Sequence, residues 1–566
     1  MHAGAHMVLV ITTTLVHLAV LGSGALFASW RAEDQVVEDG EAPDPAATFQ
    51  RRGGKARRYW GKVNRGIKNF RRRRARRRGT HTKTDAVPKS VSGVFGEKLG
   101  KEVTVEEYTR DINSWSAETV QERRRSRGHD AKVNMLILMS DTGGGHRASA
   151  QALEAALEEL YPGRVAVTMV DIFTEHSRWP YSASVPAYQY AAKNPLVWRA
   201  MYEYARFPPT RYINGKMLHF QNFGRFKSAI QRYSPDFVVS VHPLCQDLPL
   251  KVLNAMGPGR TRELPFVTVV TDLGGAHPTW FNSEADKVFI ASDAVMRVAF
   301  REGLATAQIH QLGLPIRPAF WKDPRPSAEL RAELGLEVDA PVAMVMGGGD
   351  GVGGMGAIAT AVIQTLGKEL DRSQASVVVI CGKNKAVKHE LEDATWPLNT
   401  RVIVHGFVSN MDEWMGAVDA LVTKAGPGTI AEATIRGLPV MLSGYLPGQE
   451  EGNVPYVVNG GFGAYSKKPA EIGATVARWL KNPELLEKMK GNALRAARPR
   501  ASYDIAREIA DMLFLAEGES VGAGEFGDGV EAYEALMEAG KGAAAAAAMA
   551  AAGGGGAVAS GQHAEE

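Results

Sequence analysis

From Val133 onward, short apolar runs alternate with longer amphipathic stretches along the chain. This alternation is typical of parallel βαβ units, in which a buried strand is followed by a covering helix. The pattern stops at a Pro-rich stretch near Pro315–Pro326 and then restarts. Each of the two sets opens with an apolar run that leads into a triple-glycine turn. The sequence therefore predicts an α/β protein with two Rossmann-like, doubly wound domains that face each other across a cleft.

Ten apolar runs are predicted to be strands, five in each set. In doubly wound sheets ligands bind beyond the carboxyl ends of the strands, so the loops that follow these runs are the candidate site. The predicted strands are Val133–Met139, Val165–Val170, Phe237–Val241, Phe266–Thr271, Val288–Ile290, Val342–Met346, Val377–Ile380, Val402–Val404, Ala420–Thr423 and Val440–Ser443.

The amino terminus carries an apolar leader, Met7–Ala28, which is uncharged apart from His17. Its length is sufficient to cross a bilayer, and it also fits a signal peptide with a small-residue cleavage site at 23–25. The first thirty residues contain no Lys or Arg, so the basic segment that usually opens a signal peptide is missing. A cleaved signal and a retained anchor both stay open.

A strongly basic run, Arg51–Lys83, follows the leader. It holds 16 of the 66 Lys and Arg residues and no acid, so the rest of the chain has 50 basic and 62 acidic residues. Such a run is typical of a nucleic-acid tail, a segment that binds anionic lipid, or an organelle-targeting sequence. The acidic balance of the remainder argues against nucleic acid as the main partner. The two cysteines cannot form a disulfide framework.

These features divide the chain into five predicted parts. They are an apolar leader (1–30), a basic targeting and linker region (31–130), a first Rossmann-like acceptor domain (131–316), a second Rossmann-like donor domain with C-terminal helices (317–516), and a low-complexity Ala/Gly tail (517–566).

The first predicted strand leads into the loop Ser140–Ser149, where Gly143, Gly145 and Ala148 fit the dinucleotide pattern G-x-G-x-x-A. Two observations argue against a dinucleotide. His146 occupies the helix-entry corner, where a pyrophosphate needs bare backbone, and the acidic Asp171 comes later than the usual spacing of about 20 residues. An imidazole titrates near neutrality, so we interpret His146 as a general base facing the cleft.

A second loop of the first domain, residues 271–280, contains Asp272 and His277, which could position a hydroxyl nucleophile. Trp280 and Phe281 could hold an apolar group. A structural turn capped by Asp272 is an equally good interpretation of these residues.

In the second domain, the turn Gly426–Thr429 opens a predicted helix at 430–436, and the acidic turn Gln449–Glu450 lies at the start of another. Helix N-termini hold phosphates, and a nearby carboxylate accepts hydrogen bonds from sugar hydroxyls. The glycine-rich turn 347–354 and Phe407, which follows another strand, complete a predicted nucleotide-sugar pocket. Because neither pocket has a D-x-D metal clamp, we expect Arg, Lys and helix dipoles to neutralise the leaving phosphate.

Four long motifs make the sequence recognisable: SDTGGGHRASAQAL, VTDLGGAHPTWF, HGFVSNMDEWM and KAGPGTIAEATIRGLPV with GQEEGNVPYVV. Over roughly residues 132–515 the chain closely resembles the monogalactosyldiacylglycerol synthase family. The resemblance implies a GT-B fold and inverting transfer of galactose from UDP-galactose to sn-1,2-diacylglycerol. It also implies association with the plastid envelope and activation by phosphatidic acid and phosphatidylglycerol.

Residue by residue, the resemblance and the loop analysis give three candidate groups, and no metal or other cofactor is expected. The catalytic candidates are His146 and Asp272, and the acceptor or lipid candidates are Gly145, Arg147, His277 and Trp280. The candidates for binding UDP-galactose are Gly347, Gly348, Gly349, Phe407, Gly426, Pro427, Gly428, Thr429, Gln449, Glu450 and Asn453.

The chain departs from the family pattern at two places. The segment 274–276 reads Gly-Gly-Ala where a Ser-Thr-Cys type of sequence is expected, and Asp350 stands where a Glu is more usual. The rival interpretations are a diacylglycerol glucosyltransferase, a lipid-linked N-acetylglucosaminyltransferase and a UDP-sugar epimerase. The expected partners are diacylglycerol, anionic lipids and a membrane surface, with a homodimer as a further option. The expected location is the chloroplast envelope, reached through the leader and the Arg-rich segment.

Overall fold

The computed structural model describes residues 117–128, 131–347, 354–370 and 375–514. The predicted leader, the basic run, the Ala/Gly tail and the two site candidates Gly348 and Gly349 lie outside these ranges. No helix in the described ranges is long and apolar enough to cross a bilayer.

The first half of the described chain forms a six-stranded sheet in the order β2-β1-β3-β4-β5-β6, with every neighbouring pair parallel. The register places Leu136 beside Thr168 on one side and beside Val238 on the other. The strands are β1 (Val133–Met139), β2 (Val165–Asp171), β3 (Phe237–Ser240), β4 (Phe266–Val269), β5 (Lys287–Ile290) and β6 (Ile309–Gln311).

The second half forms another six-stranded parallel sheet, in the order β12-β11-β10-β7-β8-β9. When β7 is counted as strand 1 and the sheet is followed from the β9 edge, the order is 3-2-1-4-5-6. This is the order of dinucleotide-binding Rossmann folds. The strands are β7 (Val342–Met346), β8 (Ala375–Ile380), β9 (Thr400–His405), β10 (Ala420–Thr423), β11 (Val440–Leu442) and β12 (Gly463–Tyr465).

Helices connect the strands and cover both faces of each sheet. Those before the second sheet are α1 (Ala117–Arg125), α2 (Gly144–Leu160), α3 (Ile172–His176), α4 (Ser184–Ala192), α5 (Pro195–Arg206), α6 (Pro208–Tyr233), α7 (Asp247–Met256), α8 (Asp293–Arg301) and α9 (Ser327–Glu333). Those that follow are α10 (Met355–Glu369), α11 (Lys385–Asp393), α12 (Met411–Ala417), α13 (Pro427–Ile435), α14 (Asn453–Asn459), α15 (Pro469–Leu480), α16 (Pro483–Ala496) and α17 (Ala501–Phe514).

All ten predicted strands are present, with ends within two residues of the prediction. Two strands were not predicted, β6 and β12, which have three residues each and lie at the edges of the two sheets. Neither is buried, and neither carries a continuous apolar run, so the sequence lacked the signal by which the others were found. The helix after the Gly-Pro-Gly turn begins at Pro427, three residues earlier than predicted, because Pro is well suited to the first helical position.

Three strands begin with the same polar arrangement. Asp236, Asp286 and Asp419 each precede a strand, accept a hydrogen bond from the first or second N–H of the neighbouring strand and pair with an arginine. The arginines are Arg127, Arg262 and Arg331. Each carboxylate therefore fixes the register of two strands at their amino ends, opposite to the edge where ligands bind.

The last helix, α17, returns to the first sheet after the chain has completed the second. Its residues Ile505, Ile509 and Leu513 are fully buried in one core with Val133 and Met135 of β1. Helix α1 joins the same cluster through Val120. The core of the first sheet therefore includes a helix that follows the second sheet along the chain. We retain 131–316 and 317–516 as the proposed domains, with α17 contributing to the first.

We expect Ile509→Ala to lower the free energy of unfolding by about 2–4 kcal/mol, because it leaves a cavity in a fully buried core. The exposed neighbour Asp511, changed to Ala, is the matched control. The measurement is the midpoint of urea unfolding. Equal midpoints for the two variants would show that α17 adds little to the first core.

Candidate active site

The strand order reverses at one point in each sheet, between β1 and β3 in the first and between β7 and β10 in the second. Ligands of doubly wound sheets bind at such points, beyond the carboxyl ends of the strands. The loops that follow the strands of the two sheets, together with the helix starts after them, contain the predicted site residues of the described ranges. Two of them meet across the cleft: the β4 loop (residues 270–277) and the β11 loop (residues 443–452).

His146 is the third residue of α2 and is 8% exposed. Its Nδ1 lies 2.9 Å from the carbonyl oxygen of Val241 and 3.1 Å from Oγ1 of Thr271. A carbonyl can only accept, so Nδ1 carries the proton and donates it, which leaves Nε2 as the basic nitrogen. Burial lowers the pKa of His146 to about 4, so the imidazole is neutral at neutral pH. This protonation state is the one that a general base requires.

A second buried histidine, His242, lies beside the first, with the two ring centroids 4.6 Å apart in an edge-to-face arrangement. Its Nδ1 accepts from the N–H of Leu244 at 3.3 Å, so its Nε2–H donates to Oγ1 of Thr142 at 3.0 Å. Burial lowers the pKa of His242 well below its ordinary value. Neither His242 nor Thr271 was predicted from the sequence. The sequence feature that could have identified them is their position, since each is a polar residue shortly after a buried strand.

Asp272, in the β4 loop, is buried, and its Oδ2 accepts from the indole Nε1–H of Trp280 at 2.7 Å. Its carboxylate also accepts from the backbone N–H of His277. Burial, with a smaller contribution from the negative charge of Glu450 in the other half, raises the pKa of Asp272 to about 7. Asp272 therefore organises its turn, as one interpretation held, and also supplies a carboxyl group that titrates near neutral pH.

Two acceptor candidates lie against this turn. The ring of His277 contacts the ring of Tyr202 with centroids 4.9 Å apart, and its Nδ1 accepts from Thr279. Trp280 is fully buried and holds Asp272 through its indole N–H. Its indole therefore fixes the position of the Asp272 carboxylate, and the acceptor or lipid role of Trp280 stays a prediction.

The other two acceptor candidates open helix α2. Gly145 is exposed in its first turn, and Arg147 forms two hydrogen bonds with the Asp141 carboxylate, at 2.7 and 2.5 Å. The helix begins after Gly143, whose positive φ of 91° suits glycine. A Cβ at Gly143 would lie 3.6 Å from the hydroxyl of Tyr188 on α4.

On the second sheet, helix α13 starts directly after β10, with Gly426 as its N-cap and Pro427 as its first residue. Pro427 has no N–H, so the first unpaired donors of the helix are the backbone N–H groups of Gly428 and Thr429. Together with the positive end of the helix dipole they form an anion-binding position.

An ion pair between the half-buried Lys424 and the buried Glu450 lies beside this helix start. Glu450 is 4% exposed, and its Oε1 accepts from Nζ of Lys424 at 2.6 Å, while its Oε2 accepts from the N–H of Leu446 at 2.9 Å. A Cβ at Gly426 would lie 4.0 Å from Glu450 Oε1, so the carboxylate is next to the helix N-terminus. Lys424 was not predicted as a site residue from the sequence, although it stands immediately after the buried strand β10. The neighbouring Gln449 has a buried Oε1 with no hydrogen-bond partner among the described residues.

Asn453 connects the two halves and is 2% exposed. Its Oδ1 accepts from the backbone N–H of Gly274 in the β4 loop at 2.6 Å, and its Nδ2 donates to the carbonyl of Ala425 at 2.8 Å. The last two donor candidates lie on the same sheet: Gly347 is buried at the end of β7, and Phe407 follows β9 with 71% of its side chain exposed. Strand β9 is three strands from β10, a separation of about 14 Å.

Within the described ranges, no group of three or more His, Cys, Asp or Glu side chains is arranged to hold a metal ion. The positive charge near the anion-binding position comes from Lys424 and from the N-terminus of α13.

Two Rossmann-like parallel sheets with facing carboxyl ends define the GT-B class of glycosyltransferase folds, as the sequence predicted. Comparison with known proteins then identifies the family. Residues 146–316 match the family described as monogalactosyldiacylglycerol (MGDG) synthase, and residues 342–502 match the glycosyltransferase family 28 C-terminal domain.

Individual relatives agree. The chain is 42% identical over 394 residues to monogalactosyldiacylglycerol synthase 1, chloroplastic, of Arabidopsis thaliana, a match that covers 68% of this chain and 72% of the relative. It is 41% identical over 395 residues to monogalactosyldiacylglycerol synthase, chloroplastic, of Spinacia oleracea, covering 68% and 73%. The chain belongs to the monogalactosyldiacylglycerol synthase family, which confirms the resemblance of its motifs.

Among solved structures, the chain is similar to MurG of Acinetobacter baumannii, with 15% identity and a TM-score of 0.43, over 67% of this chain and 99% of that one. It is also similar to the calicheamicin glycosyltransferase CalG4, with 14% identity and a TM-score of 0.42, over 69% and 100%.

We expect the His146 imidazole to stay neutral from about pH 8 down to about pH 5, because burial lowers its pKa to about 4 from an ordinary value near 6.5. The unfolded chain binds this proton at higher pH than the folded chain, so the side chain lowers stability as pH falls from about 6.5 to about 4. The measurement is an NMR titration of ring-labelled histidine, assigned with His146→Gln and compared with urea-unfolded protein. A His146 resonance that titrates near 6.5 in the folded protein would contradict the burial argument.

Proposed function

We propose that this chain transfers galactose from UDP-galactose to the free hydroxyl of sn-1,2-diacylglycerol, with inversion at the anomeric carbon, to give monogalactosyldiacylglycerol. The family of the chain supports the choice of donor and acceptor. The observation that carries the mechanism is the pairing of two groups across the cleft. A neutral His146 lies at the carboxyl edge of one sheet, and an anion-binding helix start with a buried Glu450 lies at the same edge of the other.

The donor is proposed to bind to the second half. The N–H groups of Gly428 and Thr429 donate to the diphosphate, and Lys424 adds a positive charge. Glu450 and Gln449 accept hydrogen bonds from sugar or ribose hydroxyls. The buried, unpaired Oε1 of Gln449 supports this role, because buried acceptors are normally satisfied.

The remaining donor contacts are placed along the carboxyl edge of the second sheet. Exposed Phe407 stacks on the uracil, and Gly347 with the glycines that follow it lets the backbone approach the nucleotide. Pro427 fixes the start of α13, and Asn453 holds the Ala425 carbonyl that leads into it.

In the proposed reaction, Nε2 of His146 takes the proton of the diacylglycerol hydroxyl. The hydroxyl oxygen attacks the anomeric carbon from the face opposite UDP, forming the new C–O bond while the bond to the diphosphate breaks. The electron pair leaves with UDP, whose added charge is met by the α13 N–H groups and Lys424. The Val241 carbonyl accepts from Nδ1–H and stabilises the imidazolium that forms. Asp272, held by Trp280, orients the acceptor.

Diacylglycerol is a membrane lipid, so the first half is proposed to dock on a bilayer. One face of α6 carries exposed apolar side chains at helical spacing, with Lys216 among them: Tyr212, Ile213, Met217 and Phe220. The C-terminal part of the same helix, with Phe226, Ala229 and Ile230, is buried in the first core. Such a face fits the boundary of a bilayer, where apolar groups insert and cations meet anionic headgroups.

The relatives are named chloroplastic, which supports a plastid location for this chain. We further propose association with the envelope, import through the leader and the Arg-rich segment, and activation by phosphatidic acid and phosphatidylglycerol. The 16 cations of the Arg51–Lys83 run would add attraction to such lipids. A homodimer is also compatible with this proposal.

We expect His146→Gln to lower turnover by roughly 10²–10⁴-fold, the usual contribution of a general base. The affinity for UDP should stay nearly unchanged, because the base and the nucleotide lie on different halves. The measurement is transfer from radiolabelled UDP-galactose, with UDP-glucose in parallel, to diacylglycerol in mixed micelles. His389→Gln is the control, because its ring is well exposed. Turnover within tenfold of wild type would rule out this base, and preferred use of UDP-glucose would rule out the donor.

We expect Phe220→Glu to reduce binding to vesicles of phosphatidylglycerol and diacylglycerol by about tenfold, because it removes a phenyl ring that would otherwise be buried in lipid. The control is Leu398→Glu, which adds the same charge at a fully exposed apolar residue of the second half. Co-sedimentation gives the bound fraction, and activity in detergent micelles should stay close to wild type for both. Equal sedimentation of the two variants would remove the α6 face from the proposal.

A further inference from the structure

The β11 loop belongs to the second half by sequence, yet the first half holds it at several points. The indole Nε1–H of Trp198 on α5 donates to the carbonyl of Pro447 at 2.9 Å. The ring of Tyr202, one turn further along α5, packs against Gly448. At the end of the loop, the N–H of Gly274 donates to Asn453.

The contact at Gly448 leaves no room for a side chain. Gly448 has a φ of +80°, which suits glycine, and a Cβ there would lie 2.6 Å from two ring atoms of Tyr202. The Tyr202 ring is itself held, because its centroid is 6.4 Å from that of Trp198 and 4.9 Å from that of His277. The loop and α5 therefore fit together only in this arrangement.

At the second contact, backbone meets backbone. A Cβ at Gly274 would lie 2.0 Å from the carbonyl oxygen of Gly452, and a Cβ at Gly452 would lie 2.4 Å from the carbonyl oxygen of Gly274. A backbone atom cannot move aside as the end of a flexible side chain can. A side chain at either position must therefore push the β4 loop and the β11 loop apart.

The same loop sets the groups of the proposed donor site. The N–H of Leu446 and Nζ of Lys424 hold the Glu450 carboxylate. Asn453, while accepting from Gly274, donates to the Ala425 carbonyl that precedes the helix start at Gly426. A displacement of the loop would therefore move both the carboxylate and the helix N-terminus.

The aromatic contacts also extend to the other side of the cleft. The ring of Trp198 packs edge-to-face on Tyr188, with centroids 5.1 Å apart, and the Tyr188 hydroxyl lies next to Gly143 at the start of the His146 helix. A continuous set of side chains thus runs from the helix of the proposed base to the β11 loop.

We propose that the first half positions the donor-binding groups through the β11 loop, with Trp198, Tyr202 and Asn453 acting as positioning residues for sugar transfer. This inference rests on the proposed donor site. It predicts that changes at the contact between the halves weaken UDP binding, although no first-half residue is proposed to touch the nucleotide.

The test compares Gly274→Ala with Gly275→Ala in the otherwise unchanged full-length protein. A Cβ at Gly275 has no atom within 4 Å, so this neighbour is a matched control. Titration calorimetry gives the affinity for UDP, initial rates give KM for UDP-galactose and kcat separately, and thermal unfolding reports stability. We expect Gly274→Ala to weaken UDP binding and raise the donor KM by about tenfold or more, since it disrupts the buried hydrogen bond at Asn453. Gly275→Ala should keep wild-type UDP affinity.

Two further variants keep the test decisive if Gly274→Ala folds poorly. Trp198→Phe retains an aromatic ring and loses only the donation to Pro447, and should also raise the donor KM more than it lowers the melting temperature. Gly448→Ala should weaken UDP binding, and adding Tyr202→Ala should restore part of it by removing the ring that the new methyl group meets.

Equal UDP affinity and equal donor KM for Gly274→Ala, Trp198→Phe and wild type would overturn the inference. So would loss of affinity that only follows loss of stability. A wild-type protein that binds UDP but transfers no galactose would contradict the proposed function and leave the comparison of UDP affinities valid. A wild-type protein that binds no UDP would overturn both.

Discussion

The two halves of the protein meet where the backbones of Gly274 and Gly452 touch, without an intervening side chain. At that separation, Asn453 can accept from the β4 loop and donate to the residue that precedes helix α13. A larger gap would break the first of these bonds, and a smaller one is prevented by direct backbone contact. The relative position of the proposed base and the proposed donor site therefore depends on two glycines with no chemistry of their own.

Burial determines the protonation states of two groups in the first half. It lowers the pKa of His146 to about 4, which keeps the base neutral, and raises the pKa of Asp272 to about 7. The Glu450 carboxylate adds to the second effect, although it belongs to the other half. Lys424 offsets the charge of Glu450 through an ion pair at 2.6 Å. The charges of one half thus depend on groups that the other half contributes.

Much of the fold could be predicted because parallel strands buried on both faces leave long apolar runs in the sequence. The ten strands found in this way lie within two residues of their predicted ends. Strands β6 and β12 were not predicted, because a three-residue strand at a sheet edge does not need a long apolar run. The packing of α17 in the first core could not be predicted for a different reason. The apolar spacing of an amphipathic helix shows that one face is buried, but it does not show which sheet that face packs against.

The sequence by itself determined the two sheets, the family, and the site residues that stand in local motifs, such as His146, the turn that opens α13, and Glu450. Those residues are readable because a loop between a strand and a helix imposes fixed spacing over a few positions. Only the tertiary structure brought in His242, Lys424 and Trp198, and gave Trp280 its place behind Asp272. Trp198 and Pro447 are 249 residues apart along the chain, and no local spacing encodes a hydrogen bond between them. Their contact exists because the two sheets pack against each other across the cleft, and the geometry of that packing belongs to the tertiary structure.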